Sequence, residues 1–123
     1  TETILMAEDE PMILKTLEMF LKLEGYNIIA STDPLQLLEK AEQLEGDAHL
    51  LITDVVMPKM NGKKLSLKIK EIYPDIPILF MSGYTDNIIE KEGVLQSETS
   101  FLAKPFTTKR LGEKVREMLG KKA

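Results

Sequence analysis

The chain contains no cysteine. Disulfides, thiolate zinc centres and cysteine nucleophiles are therefore excluded, and nothing points to an oxidising compartment, so the cytoplasm is the default expectation. Long apolar runs are missing as well. The longest are a handful of residues, far short of the roughly 20 that span a bilayer. No basic, apolar, small-residue leader stands at Thr1. Neither export nor a membrane span is expected. A large excess of one charge is also lacking: 16 Lys and Arg face 20 Asp and Glu, for a net charge of −4. That leaves no electrostatic footprint for nucleic acid as a direct ligand, and Lys63, Lys64, Lys68 and Lys70 read as a solvated helix face. Histidine is limited to His49, which precedes a predicted strand, has no partner cluster and is expected at the surface.

What is present describes one globular domain over residues 1–123, with 43% hydrophobic and 29% charged residues. Short apolar runs recur at Thr3–Ala7, Asn27–Ala30, Leu50–Thr53, Ile78–Met81 and Phe101–Ala103. Runs of this length suit fully buried strands. Between them the apolar residues fall at helical spacing: Ile13, Leu17, Phe20 and Leu21; Leu37, Ala41 and Leu44; Leu65, Ile69 and Ile72; Leu111, Val115, Met118 and Leu119. Asp33 before Pro34 reads as a helix start, Gly25 follows the first helix, and Thr107 is placed to cap the last. The stretch Asp86–Leu95 lacks clean periodicity and contains Gly93, which predicts an irregular helix. The seven methionines are scattered and read as core filler.

Strict alternation of strands and helices predicts an α/β fold, a parallel sheet covered on both faces and joined by right-handed crossovers. In open sheets of this kind, ligands bind beyond the carboxyl ends of the strands. The residues that follow each run are therefore the candidates for function. They are Glu8 and Asp9 after the first, Asp54 after the third, Ser82 after the fourth and Lys104 after the fifth. Singly, each has a bland alternative. Glu8 and Asp9 could cap a helix, Asp54 or Ser82 could serve a turn, and Lys104 could be one more exposed lysine. Jointly they place three carboxylates, a hydroxyl and an ammonium at one sheet edge. Clustered carboxylates raise one another's pKa unless a cation neutralises them, and an all-oxygen set suits Mg²⁺, with Mn²⁺ as a substitute. A carboxylate can itself attack phosphorus to give an aspartyl phosphate, given a metal and a cation to neutralise charge.

The segments ILMAEDEPMI, LLITDVVMPKMNG, ILFMSGY and FLAKPF, in this order and spacing, resemble the signature blocks of the receiver (response-regulator) domain family over essentially the whole chain. The resemblance implies a flavodoxin-like (βα)5 doubly wound sheet of strand order 2-1-3-4-5. It also implies phosphoryl transfer from a histidine kinase or histidine phosphotransfer domain, with no enzymatic activity beyond self-catalysed phosphorylation and dephosphorylation. By the same resemblance Asp54 is the phosphoacceptor, Asp9 a direct Mg²⁺ ligand, Glu8 a ligand through water, and the Val56 carbonyl the last protein ligand. Ser82 takes the switch hydroxyl position, Lys104 that of the phosphoryl-binding lysine, Phe101 that of the aromatic switch, and the Lys104–Pro105 peptide is expected cis. Glu8, Ser82 and Phe101 stand where aspartate, threonine and tyrosine are commoner, and only the last change removes a functional group. Asp33 and Pro34 stand where many relatives have a glycine-containing turn. Val56 and Tyr84 flank the expected path of the hydrolytic water and offer it no carboxylate or amide.

Three rival readings are weaker. A haloacid-dehalogenase-like phosphatase would need an aspartate where Val56 stands, and a flavodoxin-like carrier would need a phosphate cradle where Glu8 and Asp9 stand. A phosphorylation-independent pseudo-receiver would be expected to lose the acceptor or the lysine, and both are present. TETILMAEDE, MSGYTDNIIEKEGV and KPFTTKRLGEKVREML are most similar to receivers at the C-terminal end of hybrid histidine kinases.

Overall fold

In strands buried on both faces, the apolar runs split by alternation into two cores. Ile4 and Met6 of β1 (Thr3–Ala7), Leu50 and Ile52 of β3 (Leu50–Asp54), and Leu79 and Met81 of β4 (Ile78–Ser82) point to one side. There they meet Leu14, Leu17 and Leu21 of α1 (Pro11–Leu23) and Leu111 and Val115 of α4 (Thr108–Gly120). Leu5, Leu51, Ile78 and Phe80 point to the other side, against Leu37 and Ala41 of α2 (Pro34–Gln43) and Leu65 and Ile69 of α3 (Gly62–Ile72). Strands β2 (Asn27–Ser31) and β5 (Thr99–Ala103) form the edges. The computed structural model describes residues 1–82 and 99–120. All neighbouring strands are parallel in the order β2-β1-β3-β4-β5, the predicted doubly wound topology. Connections leave β1 for β2 on one side and pass to β3 on the other. The crevice between β1 and β3, at their carboxyl ends, is where such a sheet opens for a ligand.

Register corrects the predicted strand limits. β2, β3 and β4 each run one residue further, ending on Ser31, Asp54 and Ser82, because these polar residues still pair with Ala7, Met81 and Ala103. β5 starts two residues earlier, at Thr99. The predicted helix over Asp86–Leu95 lies outside the described residues, as do Gly83, Tyr84 and Gly93.

Helix starts follow local chemistry. Asp33 accepts the Leu35 N–H at 2.9 Å and Thr107 accepts the Arg110 N–H at 3.0 Å, as expected of caps. Asn61 caps α3 by accepting the Lys64 N–H at 2.8 Å. Gly25 takes φ +101° just beyond α1, a conformation glycine adopts without strain. Three expectations need correction. Met6, Met57, Met60, Met81 and Met118 are buried, but Met12 and Met19 are 81% and 57% exposed on α1. His49 is half-buried, and its Nδ1 accepts the Thr3 N–H at 3.0 Å, so it ties down the start of β1. In the lysine face of α3, Lys70 instead turns back to donate to the Ile76 carbonyl at 3.0 Å.

Candidate functional site

The carboxyl ends of β1, β3 and β5 converge on a buried charged cluster. Glu8 follows β1 and is fully buried; Asp54 ends β3 and is 4% exposed. Asp9, next along, is exposed. One carboxylate oxygen from each of the three lies within 4.8 Å of the others. Lys104, one residue beyond β5, reaches in from the side. Its Nζ lies 2.8 Å from Glu8 Oε1 and 2.8 Å from Asp54 Oδ1. The second oxygen of Glu8 accepts the Glu10 N–H at 3.0 Å, so Glu8 does not cap α1 through its first turn but braces the turn before it. α1 has no side-chain cap. Asp54 Oδ2, by contrast, is buried without a hydrogen-bond partner among the described residues.

These positions set the charges. Burial, then the neighbouring Glu8 carboxylate, push the Asp54 carboxyl from 3.8 up to about 8, against the opposing pull of Lys104. Burial disfavours the Lys104 ammonium, but Asp54 and Glu8 outweigh it and hold its pKa above the usual lysine value. Among the described residues, three carboxyl groups face one ammonium, which leaves the cluster short of positive charge. A buried oxygen with no partner, in a set of only oxygen donors, is what a hard divalent cation would satisfy. The residues therefore fit Mg²⁺.

Neighbouring backbone holds Asp54 from behind. Its carbonyl accepts the Thr53 hydroxyl at 3.0 Å, and the Val55 carbonyl accepts the Gly62 N–H at 2.7 Å. α3 starts so close to β3 that a Cβ on Gly62 would collide with the Asp54 carbonyl oxygen. This requirement for glycine follows from the docking of α3 on β3. An Asn cap followed by Gly directly after a polar strand end was the available signal.

The other predicted residues lie around this cluster. Ser82 is buried at the end of β4, and its carbonyl accepts the Lys104 N–H at 2.6 Å, so its strand end and the lysine are joined through backbone. Val56 stands two residues beyond Asp54 with a 63% exposed side chain. Phe101 does not touch the carboxylates. It lies three residues before Lys104, half-buried, with its ring stacked on Phe80 at a centroid distance of 5.7 Å. The Lys104–Pro105 peptide is cis, as expected. Beside it runs an apolar groove of about 690 Å³ between the start of α1 and the β5–α4 loop, lined by Met12, Ile13, Leu17, Lys104, Pro105 and Phe106, among others.

The model of the response regulator receiver domain matches residues 4–116. The sensor kinase CckA of Brucella abortus is 34% identical over 97% of this chain, which spans 13% of that protein. The response regulator receiver protein CpdR of the same organism is 30% identical over 94% of this chain and 95% of its own length. Among solved structures, the receiver domain of the hybrid histidine kinase CckA superposes with a TM-score of 0.81 at 32% identity, covering 95% of this chain and 98% of that one.

Proposed function

This chain belongs to the response regulator receiver domain family of two-component signalling, and from that premise we propose that Asp54 accepts a phosphoryl group from a histidine kinase or a histidine phosphotransfer domain in a Mg²⁺-dependent reaction. Residues 1–123 act as one domain in this reading. The observation that carries it is the buried edge itself, where Glu8, Asp9 and Asp54 each bring a carboxylate oxygen within 4.8 Å of the others, Lys104 faces them, and Asp54 Oδ2 has no partner among the described residues.

A carboxylate oxygen of Asp54 attacks the phosphorus of a phosphohistidine. The new O–P bond forms as the N–P bond breaks, and the departing imidazole keeps the electron pair and takes a proton. Asp54 must be ionised to attack, yet burial and Glu8 hold its pKa at about 8. Mg²⁺, or Mn²⁺ in its place, held by Asp9, Asp54 and the Val56 carbonyl with Glu8 behind a water, would supply the charge that favours the ionised carboxylate and neutralises the phosphoryl oxygens. Lys104, already 2.8 Å from Asp54, is in reach of those oxygens, and the Ser82 hydroxyl is the nearby donor on β4. Lys104 is joined to Ser82 through backbone and lies three residues from Phe101 on β5. Displacement of the lysine and serine thus reaches the Phe101–Phe80 pair, which works by packing alone because phenylalanine has no hydroxyl.

Lys104, which faces Asp54, also lines the groove, and Met12 in the same lining is 81% exposed. An apolar helix face carrying the phosphohistidine would bury Met12 and Ile13 while bringing phosphorus to Asp54. In this reading the domain works in the cytoplasm. No helix among the described residues is long and apolar enough to cross a membrane. Direct nucleic-acid binding forms no part of the reading. The phosphorylation-independent alternative is not favoured, since Asp54 and Lys104 are both in place.

The test is phosphotransfer from a radiolabelled histidine kinase core. Label should pass to the wild type in Mg²⁺ and not in excess chelator, and should not pass to Asp54→Asn. Transfer that ignores chelation, or that persists in Asp54→Asn, overturns the reading.

A further inference from the structure

One ion pair near the edge is unused by this chemistry. Asp33, the cap of α2, spends one carboxylate oxygen on the Leu35 N–H at 2.9 Å and the other on Lys59 Nζ, also at 2.9 Å. Lys59 lies on the loop between β3 and α3 and takes φ +72°, the only described non-glycine residue with positive φ. A lysine is disfavoured in this left-handed region, where glycine is at ease. What lysine adds over glycine here is a cation that reaches across 26 residues of sequence to the start of α2. Lys59 holds the Asp33 carboxyl below its usual pKa, with help from the Leu35 N–H.

The loop so held carries Val56 at one end and Gly62 at the other, with Gly62 packed against the Asp54 carbonyl. Met57 and Met60 anchor its underside in the core, at 7% and 8% exposure. Its outer side has the Lys59–Asp33 pair. We propose that Lys59 is a positioning residue, clamping the β3–α3 loop to the α2 cap so that the Val56 carbonyl stands ready beside Asp54. This rests on the Mg²⁺ reading of the site.

The sign of the effect separates a clamp from plain charge. If only long-range electrostatics acted, removing the Lys59 cation would tighten Mg²⁺ binding and removing the Asp33 anion would weaken it. A clamp loses grip whichever end is cut, so both changes weaken binding. Exposed ion pairs are weak, so the loss should not exceed about fivefold.

Mg²⁺ alone is titrated calorimetrically into the full chain and into four variants. Lys59→Gly removes the amine and suits the backbone; Asp33→Asn keeps an oxygen for the cap; the third combines them; Lys59→Arg keeps the cation. The first two should each lose about three- to fivefold in affinity, the double variant no more than either, and Lys59→Arg little. Melting temperatures should change little or rise for Lys59→Gly. Unchanged or tighter binding in Lys59→Gly, or additive losses in the double variant, would overturn the clamp. If the unaltered chain binds no Mg²⁺, the site reading falls and the clamp with it.

Discussion

The proton on Asp54 should make the metal-free domain weaken as pH rises, and Asp54→Asn should remove that weakening. Below pH 3.8 the carboxyl is protonated whether the chain is folded or unfolded, and contributes no difference. Between 3.8 and about 8 the unfolded chain has lost this proton while the folded chain keeps it. Stability then falls by about 1.36 kcal/mol for each pH unit. Above about 8 both states are ionised and the loss levels off. The full span corresponds to about 6 kcal/mol, an upper limit because Lys104 and entering water can follow the charge. Even a third of it, about 2 kcal/mol, is a large part of the 5–15 kcal/mol typical of a domain. The assay is urea denaturation of wild type and Asp54→Asn in chelator from pH 5 to pH 9. The variant should gain on wild type by at least about 2 kcal/mol over that range, and Mg²⁺ should stabilise wild type more strongly at pH 9 than at pH 5. Two stability curves that stay parallel would refute the argument, since they would place no titrating carboxyl at position 54.

Lys104→Ala removes an ammonium that lies 2.8 Å from both Glu8 and Asp54. It should cost a few kcal/mol without metal, bind Mg²⁺ at least as well, and lose the phosphorylation-induced NMR shifts around Phe101; intact shifts would mean the coupling runs elsewhere. Gly62→Ala forces a Cβ onto the Asp54 carbonyl, so it should lower stability by about 1–3 kcal/mol and weaken Mg²⁺ binding, and a neutral result in thermal melts would contradict the packing argument. Asp9→Asn should weaken Mg²⁺ binding more than Glu8→Gln; equal affinity in Asp9→Asn and wild type by calorimetry would refute the assignment. Val56→Asn with Tyr84→Glu should shorten the lifetime of the phosphorylated state, because polar groups there could orient the attacking water. Unchanged decay in a phosphate-release assay would mean those side chains do not control it.

Much of this was legible before the fold, for a physical reason. Strands buried on both faces must be apolar throughout, so the first polar residue marks each carboxyl edge, and Glu8, Asp54 and Lys104 stood out by position. Limits were less legible, since Asp54 and Ser82 stay in the ladder although polar. What lay hidden depends on distances between segments remote in sequence. Nothing in Asp33 or Lys59 alone announces a 2.9 Å pair, and the need for glycine at 62 appears only when α3 is docked on β3. His49 likewise gained its partner, the Thr3 N–H, through packing. Met12 and Met19 broke the expectation of core filler because composition does not say which side of a helix a residue takes.

The central claim is tested most directly by where phosphorus arrives. Incubate the chain with acetyl phosphate and Mg²⁺, trap the acyl phosphate, and map it by mass spectrometry. One adduct on Asp54, absent from Asp54→Asn and absent in chelator, is the predicted result. An adduct on another residue, or undiminished labelling of Asp54→Asn, would contradict it.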